Sequence, residues 1–162
     1  MEHINLSQTA VTDAGIVHLK GMTKLQLLIV NGTKVTDAGI ADLKKALPKL
    51  EVEKLTPVQE KANDEINKAG GILHTNVGAT VSVDFRGAAI TDAKLAELKP
   101  FLEVWKYSLK ELNFLNSEIS DTGLIHLKGL TGLKRLKLSG AKVTAEGAQS
   151  LERTIPGLKI EL

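Results

Sequence analysis

The stretch Val35-Thr36-Asp37-Ala38-Gly39-Ile40 decides the reading, because Val11-Thr12-Asp13-Ala14-Gly15-Ile16 spells it letter for letter 24 positions earlier. Weaker copies stand at Ile90-Thr-Asp-Ala-Lys-Leu95, Ile119-Ser-Asp-Thr-Gly-Leu124 and Val143-Thr-Ala-Glu-Gly-Ala148, with spacings of 29 and 24 residues between them. Ahead of each copy lies an alternating apolar pair: Ile4/Leu6, Leu28/Val30, Val83/Phe85, Leu112/Phe114 and Leu136/Leu138. Alternation of period two predicts a strand. Behind each copy, apolar residues recur at helical intervals, as in Ile16, Leu19 and Met22, or Leu124, Leu127 and Leu130, which predicts one buried helical stripe. Each unit of 24 or so residues is therefore strand, loop and helix, a length at which stacked repeats are built.

The Thr or Ser before Asp is placed to cap the helix, since its hydroxyl accepts a hydrogen bond from a free N–H of the first turn. Asp13, Asp37, Asp92 and Asp121 then sit at the positive end of the helix dipole. An aspartate repeated in register is thus read as a folding device and not as a catalytic group.

Working outward, the composition fits this pattern. The 162 residues are 43% hydrophobic, 25% charged and 3% aromatic, as in one soluble globular unit or two very small ones. Five aromatics stand beside 25 leucines and 11 isoleucines, so the core is built from aliphatic side chains in many similar thin layers. Without cysteine the chain has no disulfide, thiolate nucleophile or Cys-ligated metal site. A formal net charge of +2 is too balanced to suggest a nucleic-acid or membrane-surface protein. No apolar run approaches the ~18 residues of a transmembrane helix, and Met1 to Leu6 lacks the order of a signal peptide. No membrane insertion is expected, and the compartment is read as cytoplasmic by default.

The segments Leu25-x-x-Leu28-x-Val30-x-x-Thr33-x-Val35-Thr-Asp-Ala-Gly-Ile40-x-x-Leu43 and Leu133-x-x-Leu136-x-Leu138-x-x-Ala141-x-Val143 carry a family resemblance. The chain resembles the bacterial leucine-rich repeats of the Val-Thr-Asp-Ala-Gly-Leu type, abundant in planctomycetes and akin to the ribonuclease-inhibitor-like and F-box-associated subclasses. The likeness covers about 130 of the 162 residues. It implies an α/β fold, a leucine-rich-repeat solenoid with parallel β-strands on the concave face and helices on the convex face. It also implies a binding scaffold, with the partner set by surface residues.

Two breaks in the regularity predict the domain organisation. Ala46-Leu-Pro-Lys-Leu-Glu-Val52 parallels Thr154-Ile-Pro-Gly-Leu-Lys-Ile160, and both look like the closing repeats that often end family members. Between them Thr56-Pro57-Val-Gln59 reads as a capping-box helix start, with Val58, Ala62, Ile66 and Ala69 as its apolar stripe and Gly70-Gly71 as its stop. An extended segment, a turn at Asn76-Val77-Gly78 and a first strand follow. The expected organisation is a cassette at 1–55 lacking an N-terminal cap, a capping helix and hairpin at 56–80, and a cassette at 81–162 with its closing repeat. Together they are expected to form one continuous solenoid. The uncapped end leaves Ile4 and Leu6 open, so either the chain is a fragment of a longer repeat protein or another subunit covers that end.

The second break is the 29-residue spacing, around Glu103-Val-Trp-Lys-Tyr107. Phe101 and Phe114 are expected to fill core slots. Trp105 and Tyr107 either cover the enlarged loop or form an exposed anchor for a partner.

No enzyme is predicted. His18 and His126 occupy equivalent outer positions, His3 and His74 are isolated, and no phosphate-binding glycine motif is present, so neither cofactor nor metal is expected. Binding remains, on strand residues that alternate with the core positions: His3, Asn5 and Ser7; Leu27, Ile29 and Asn31; Glu51 and Glu53; Ser82, Asp84 and Arg86; Glu111, Asn113 and Leu115; Arg135, Lys137 and Ser139; Lys159 and Glu161. Leu27 and Ile29 are either an exposed apolar contact patch or are covered by a capping helix or neighbouring segment. Lys128, Lys134, Arg135, Lys137 and Lys142, with no acid among them, suggest that an acidic partner docks there. Nucleic acid is not expected, since this stretch carries no aromatic stacking residue.

The expected function is a non-catalytic protein-interaction scaffold or accessory subunit of a larger complex, with partners that are other proteins. The alternatives are a free-standing recognition module, or a regulatory piece of a longer enzyme or electron carrier.

Overall fold

Each Thr-Asp or Ser-Asp motif starts a helix, and each alternating segment ahead of it forms a strand. The computed structural model describes residues 2–76 and 80–162; the turn expected at Asn76-Val77-Gly78 falls at residues 77–79, outside the described residues. The chain divides into two compact units, Met1–Glu60 and Lys61–Leu162.

In the first unit, β1 (Glu2–Asn5) leads to α1 (Asp13–Ile16), continued as a 3₁₀ turn (Val17–Gly21). Then come β2 (Leu25–Ile29), α2 (Asp37–Ala46) and β3 (Glu51–Glu53). The strands pair in parallel in the order β1-β2-β3. Parallel pairing follows from a helical connection that returns the chain to the same sheet end. Ile16, Leu25, Leu28, Val30, Val35, Leu43, Leu47 and Leu50 form the buried core, with Ile4, Leu6 and Val11 partly buried against it.

The helix α3 (Pro57–Lys68) begins in the first unit and continues into the second. Its start is the expected capping box: Thr56 Oγ1 accepts the Gln59 N–H at 3.3 Å, and Gln59 Oε1 accepts the Thr56 N–H at 2.9 Å. Its end is a Schellman motif. Gly71 N–H donates to the Ile66 carbonyl and Gly70 N–H to that of Asn67, both at 2.9 Å, with Gly70 at φ +84°. A β-carbon on Gly71 would lie 2.4 Å from the Phe85 ring, so this glycine also lets the cap approach the second core.

The second unit continues through β4 (Ile72–Asn76), β5 (Thr80–Asp84), α4 (Asp92–Glu103), β6 (Leu109–Asn113), α5 (Asp121–Leu124) with a 3₁₀ turn (Ile125–Leu127), β7 (Arg135–Lys137), α6 (Ala145–Thr154) and β8 (Lys159–Glu161). Its sheet runs β4-β5-β6-β7-β8. The β4-β5 pair is antiparallel and the others are parallel, so this sheet is mixed and not uniformly parallel. Phe85 and Phe114, both 0% exposed, stack with ring centroids 5.1 Å apart at 7°. They replace the aliphatic filling at two successive layers.

The long 29-residue unit is accommodated by α4, twelve residues with Pro100 inside, and by a turn at 104–108. Trp105 is 3% exposed, so the reading of this residue as an exposed anchor is corrected: its indole is part of the core of the enlarged repeat. Burying that ring's large apolar area outweighs leaving its Nε1–H without a hydrogen-bond partner among the described residues. Phe114 fills a core slot as expected, whereas Phe101 is only half-buried.

Candidate functional site

Two surfaces are candidates: the junctions made by the repeated aspartates, and the polar side of the strands. At the junctions, the expected caps form where Thr36, Thr91 and Thr144 accept the N–H groups of Gly39, Lys94 and Gly147 at 3.1–3.2 Å. The aspartates do more than face their own helix dipole. Asp13 reaches the following repeat, accepting the Thr36 N–H and the Thr36 hydroxyl at 2.7 Å each. Asp121 does the same to Thr144, at 2.8 and 2.7 Å. Asp92 accepts the Ser120 N–H at 2.8 Å, the Ser120 hydroxyl at 2.5 Å and the Thr122 hydroxyl at 2.6 Å. Each carboxylate thus ties one repeat to the cap of the next.

These contacts set the acidity of the groups. The Thr36 hydroxyl, then its N–H, hold the Asp13 carboxyl below the ordinary value. Burial pushes Asp92 up, but the Ser120 and Thr122 hydroxyls, the Ser120 N–H and nearby His126 together bring it below the usual range. The same contacts explain the glycine of the motif. A β-carbon on Gly39, Gly123 or Gly147 would lie 2.3, 2.2 or 2.1 Å from an oxygen of Asp13, Asp92 or Asp121. This cross-repeat role is missed when the motif is read as a local cap. Its signal lies in the departures from the motif: Lys94 stands where glycine would, in the repeat that begins the parallel run of the second unit, and Ala145 replaces aspartate in its last helix.

The strand side is ordered by register. His3, Leu27 and Glu51 form one row and Asn5, Ile29 and Glu53 another in the first unit. In the second, Ser82, Glu111, Arg135 and Lys159 line up, beside Asp84, Asn113, Lys137 and Glu161. Glu111 joins the two rows, accepting from Lys137 Nζ at 2.6 Å and lying 3.6 Å from Arg135, which is also 3.6 Å from Glu161. Asp84 pairs with Arg86 at 2.7 Å; burial raises its pKa, but the Arg86 hydrogen bonds and charge bring it below the ordinary value. His74, Ser82, Asp84, Arg86, Glu111 and Lys137 line a shallow hollow of about 210 Å³.

Several expected contact residues serve the backbone. Asn113 is buried, and its side chain accepts the Leu115 N–H at 3.1 Å; Asp84 does so for Arg86, and Asn5 for Ser7, each at 2.8 Å. These turns end the strands. Asn31 is buried and accepts the Leu55 N–H at 2.9 Å. Of the two readings of Leu27 and Ile29, the exposed apolar patch is corrected and the covered alternative fits Leu27. Leu27 is 6% exposed and Ile29 half-buried, since apolar side chains gain by leaving water. The basic run is corrected too: Arg135 and Lys137 face carboxylates as described, Lys142 lies 3.5 Å from Glu118, and Lys134 Nζ donates to the Pro156 carbonyl at 3.0 Å. Internal acceptors meet most of that charge. Tyr107 is 72% exposed, with Lys106 Nζ 4.7 Å above its ring.

His18 is exposed and His126 half-buried. Among the described residues, no group of three His, Cys, Asp or Glu side chains is placed to hold a metal ion. No helix of the described residues is long and apolar enough to cross a membrane.

Residues 130–151 match the family model described as "Leucine Rich repeat". The match spans β7 and the first part of α6, the segment joined to its neighbour by Asp121. It supports a leucine-rich-repeat protein and, with it, a protein-interaction module. No curated protein matches the chain.

Proposed function

We infer that the chain is a non-catalytic scaffold or accessory subunit that binds another protein on the strand side of its second unit. The observation that carries this reading is the pair of charged rows across β5 to β8, in which Glu111, Arg135, Lys137 and Glu161 are linked by ion pairs yet remain reachable by solvent. Repeat arrays use such aligned side chains for binding because successive strands present the same position at a fixed spacing. The opposed charges favour a partner that offers both signs in register, and they discriminate by the penalty of leaving one charge unpaired. Tyr107 favours a second contact at the enlarged turn: its exposed ring is a residue type enriched in binding hot spots.

The test is affinity capture with the full chain as bait, compared with Arg135→Glu/Lys137→Glu and with a helix-side control, Lys44→Glu/Lys45→Glu. A protein retained by the wild type and the control but lost from the strand-side variant is the expected result. Equal capture by all three baits would overturn the assignment.

A further inference from the structure

An apolar groove of the first unit lies away from its strand rows, where the chain enters β2 and β3. It encloses about 360 Å³, with Leu25, Leu47 and Leu50 as its floor and Thr23, Ala46 and Pro48 as its walls. The three leucines belong to the core and are 3–5% exposed, whereas the wall residues are exposed. Both sides are fixed turns: Leu25 N–H donates to the Met22 carbonyl at 2.9 Å, and Leu50 N–H to that of Leu47 at 3.0 Å. One turn joins the first 3₁₀ turn to β2 and the other joins α2 to β3, so the groove owes nothing to what precedes β1. The second unit builds the same closing turn and covers it. Ile155-Pro156-Gly157-Leu158 matches Leu47-Pro48-Lys49-Leu50. There Lys134 crosses the turn, its Nζ donating to the Pro156 carbonyl at 3.0 Å and lying 3.3 Å from the place of a β-carbon on Gly157. In the first unit Gln26, an exposed residue, stands at the position of Lys134, and Lys49 stands at that of Gly157. The covering strap is absent, and the lysine is on the rim instead.

That rim is basic. Lys49 lines the groove, Lys24 stands between the lining residues Thr23 and Leu25, and Lys44 and Lys45 come just before Ala46; all four are exposed. The ion pairs within the first unit are Lys20–Asp42 at 2.6 Å and Lys54–Asp37 at 2.8 Å. Among the described residues the four rim lysines therefore have no ion pair, and Asp42, the acid nearest to Lys44 and Lys45 in sequence, is already bound by Lys20. Lys44 and Lys45 oppose the negative end of the α2 dipole, which gives them a structural use. Lys24 and Lys49 lie outside any helix and have no such use.

We propose that this groove docks an acidic segment of a partner protein, which seats an aliphatic side chain over Leu25, Leu47 and Leu50 and sets flanking carboxylates against Lys24 and Lys49. Charge complementarity selects the occupant. Unpaired cations around an apolar floor attract a segment that carries both acids and an apolar side chain, and they repel a basic one. A nucleic-acid strand fits poorly, because the aliphatic floor offers its bases no aromatic ring to stack on. The groove is separate from the charged rows of β5 to β8, so the two readings stand or fail independently.

The probe is a synthetic peptide, acetyl-Asp-Glu-Leu-Leu-Glu-Asp-amide, titrated into the full isotope-labelled chain and followed by amide shifts in NMR. The shifts should gather at the groove turns that hold Thr23, Leu25, Ala46 and Leu50. Affinity should fall about tenfold for Lys24→Glu/Lys49→Glu, and about tenfold when the leucines of the peptide are replaced by serine. Lys24→Gln/Lys49→Gln should lose about threefold, and raising salt to about 0.3 M should weaken the wild-type complex severalfold. Both lysine variants should melt within about 2 °C of the wild type, since the side chains are exposed. Arg135→Glu/Lys137→Glu should bind the peptide as the wild type does. Absence of shifts at millimolar peptide, shifts elsewhere, or affinity unchanged by either lysine variant would overturn the proposal. So would binding lost from Arg135→Glu/Lys137→Glu, which would place the peptide on the strand rows. Vesicles containing about 30% phosphatidylserine that shift the groove amides where the peptide does not would overturn it in favour of a membrane surface.

Discussion

Replacing Gly123 by alanine would set a methyl group where an oxygen of Asp92 now lies, 2.2 Å from the ideal β-carbon. The carboxylate must move and give up bonds to Ser120 and Thr122, so Gly123→Ala should cost about 2 kcal/mol in chemical denaturation, although alanine is the better helix former. Lys94→Gly, at the equivalent place with no aspartate to receive, should change stability only through helix propensity, by about 1 kcal/mol or less. Asp92 also gives a pH signature. Its pKa is lowered in the fold, so its contribution is present above the unfolded value of about 3.9 and is lost as pH falls through the folded value. Asp92→Asn should therefore destabilise the protein by about 1 kcal/mol at neutral pH, after allowance for solvent screening. The gap between the two proteins should close below about pH 4 in melts followed by circular dichroism.

At the scale of elements, the stacked Phe85 and Phe114 join the layers of β5 and β6. Phe114→Ala should cost about 4 kcal/mol, read as a lower denaturant midpoint, because a fully buried ring leaves a cavity that its rigid neighbours fill poorly. Strands and helices were legible because a two-residue alternation and a helical spacing recur around a fixed motif. The capping box at Thr56 and the glycine stop at Gly70-Gly71 were legible for the same reason, since each is settled within a few residues. The destination of Asp13 was not, because Thr36 lies 23 residues away and a local cap explained the aspartate sufficiently. The side chains facing away from the core followed from strand period, and the register places them in rows as expected. Whether such a side chain is free did not follow. Asn31 and Asn113 alternate correctly yet are buried, because backbone N–H groups claim their side chains, and Leu27 is buried as well. Trp105 shows the converse limit. An inserted aromatic carries no periodic signal, so its inward direction depends on the space left by an enlarged repeat.

For the whole molecule, two compact units each carry their own chain of aspartate contacts: Asp13 to Thr36 in one, then Asp92 to Ser120 and Asp121 to Thr144 in the other. Stability in such stacks is passed between nearest neighbours. Asp121→Asn should accordingly speed hydrogen exchange in α6 far more than in α4, as read by mass spectrometry of peptides from each helix.

The direction of these contacts bears on how such a chain lengthens. At the three joints formed here, one repeat supplies the aspartate and the next supplies the hydroxyl and the glycine, and the Thr-Asp-Ala-Gly motif spells both halves in a single segment. One duplicated segment therefore brings both halves of a new joint into the gene at once. Growth by copying needs no second mutation to be tolerated, whereas a point change at the glycine breaks a joint whose other half is encoded a full repeat away. Lineages carrying this motif are thus expected to vary more readily in repeat number than in the letters of the motif.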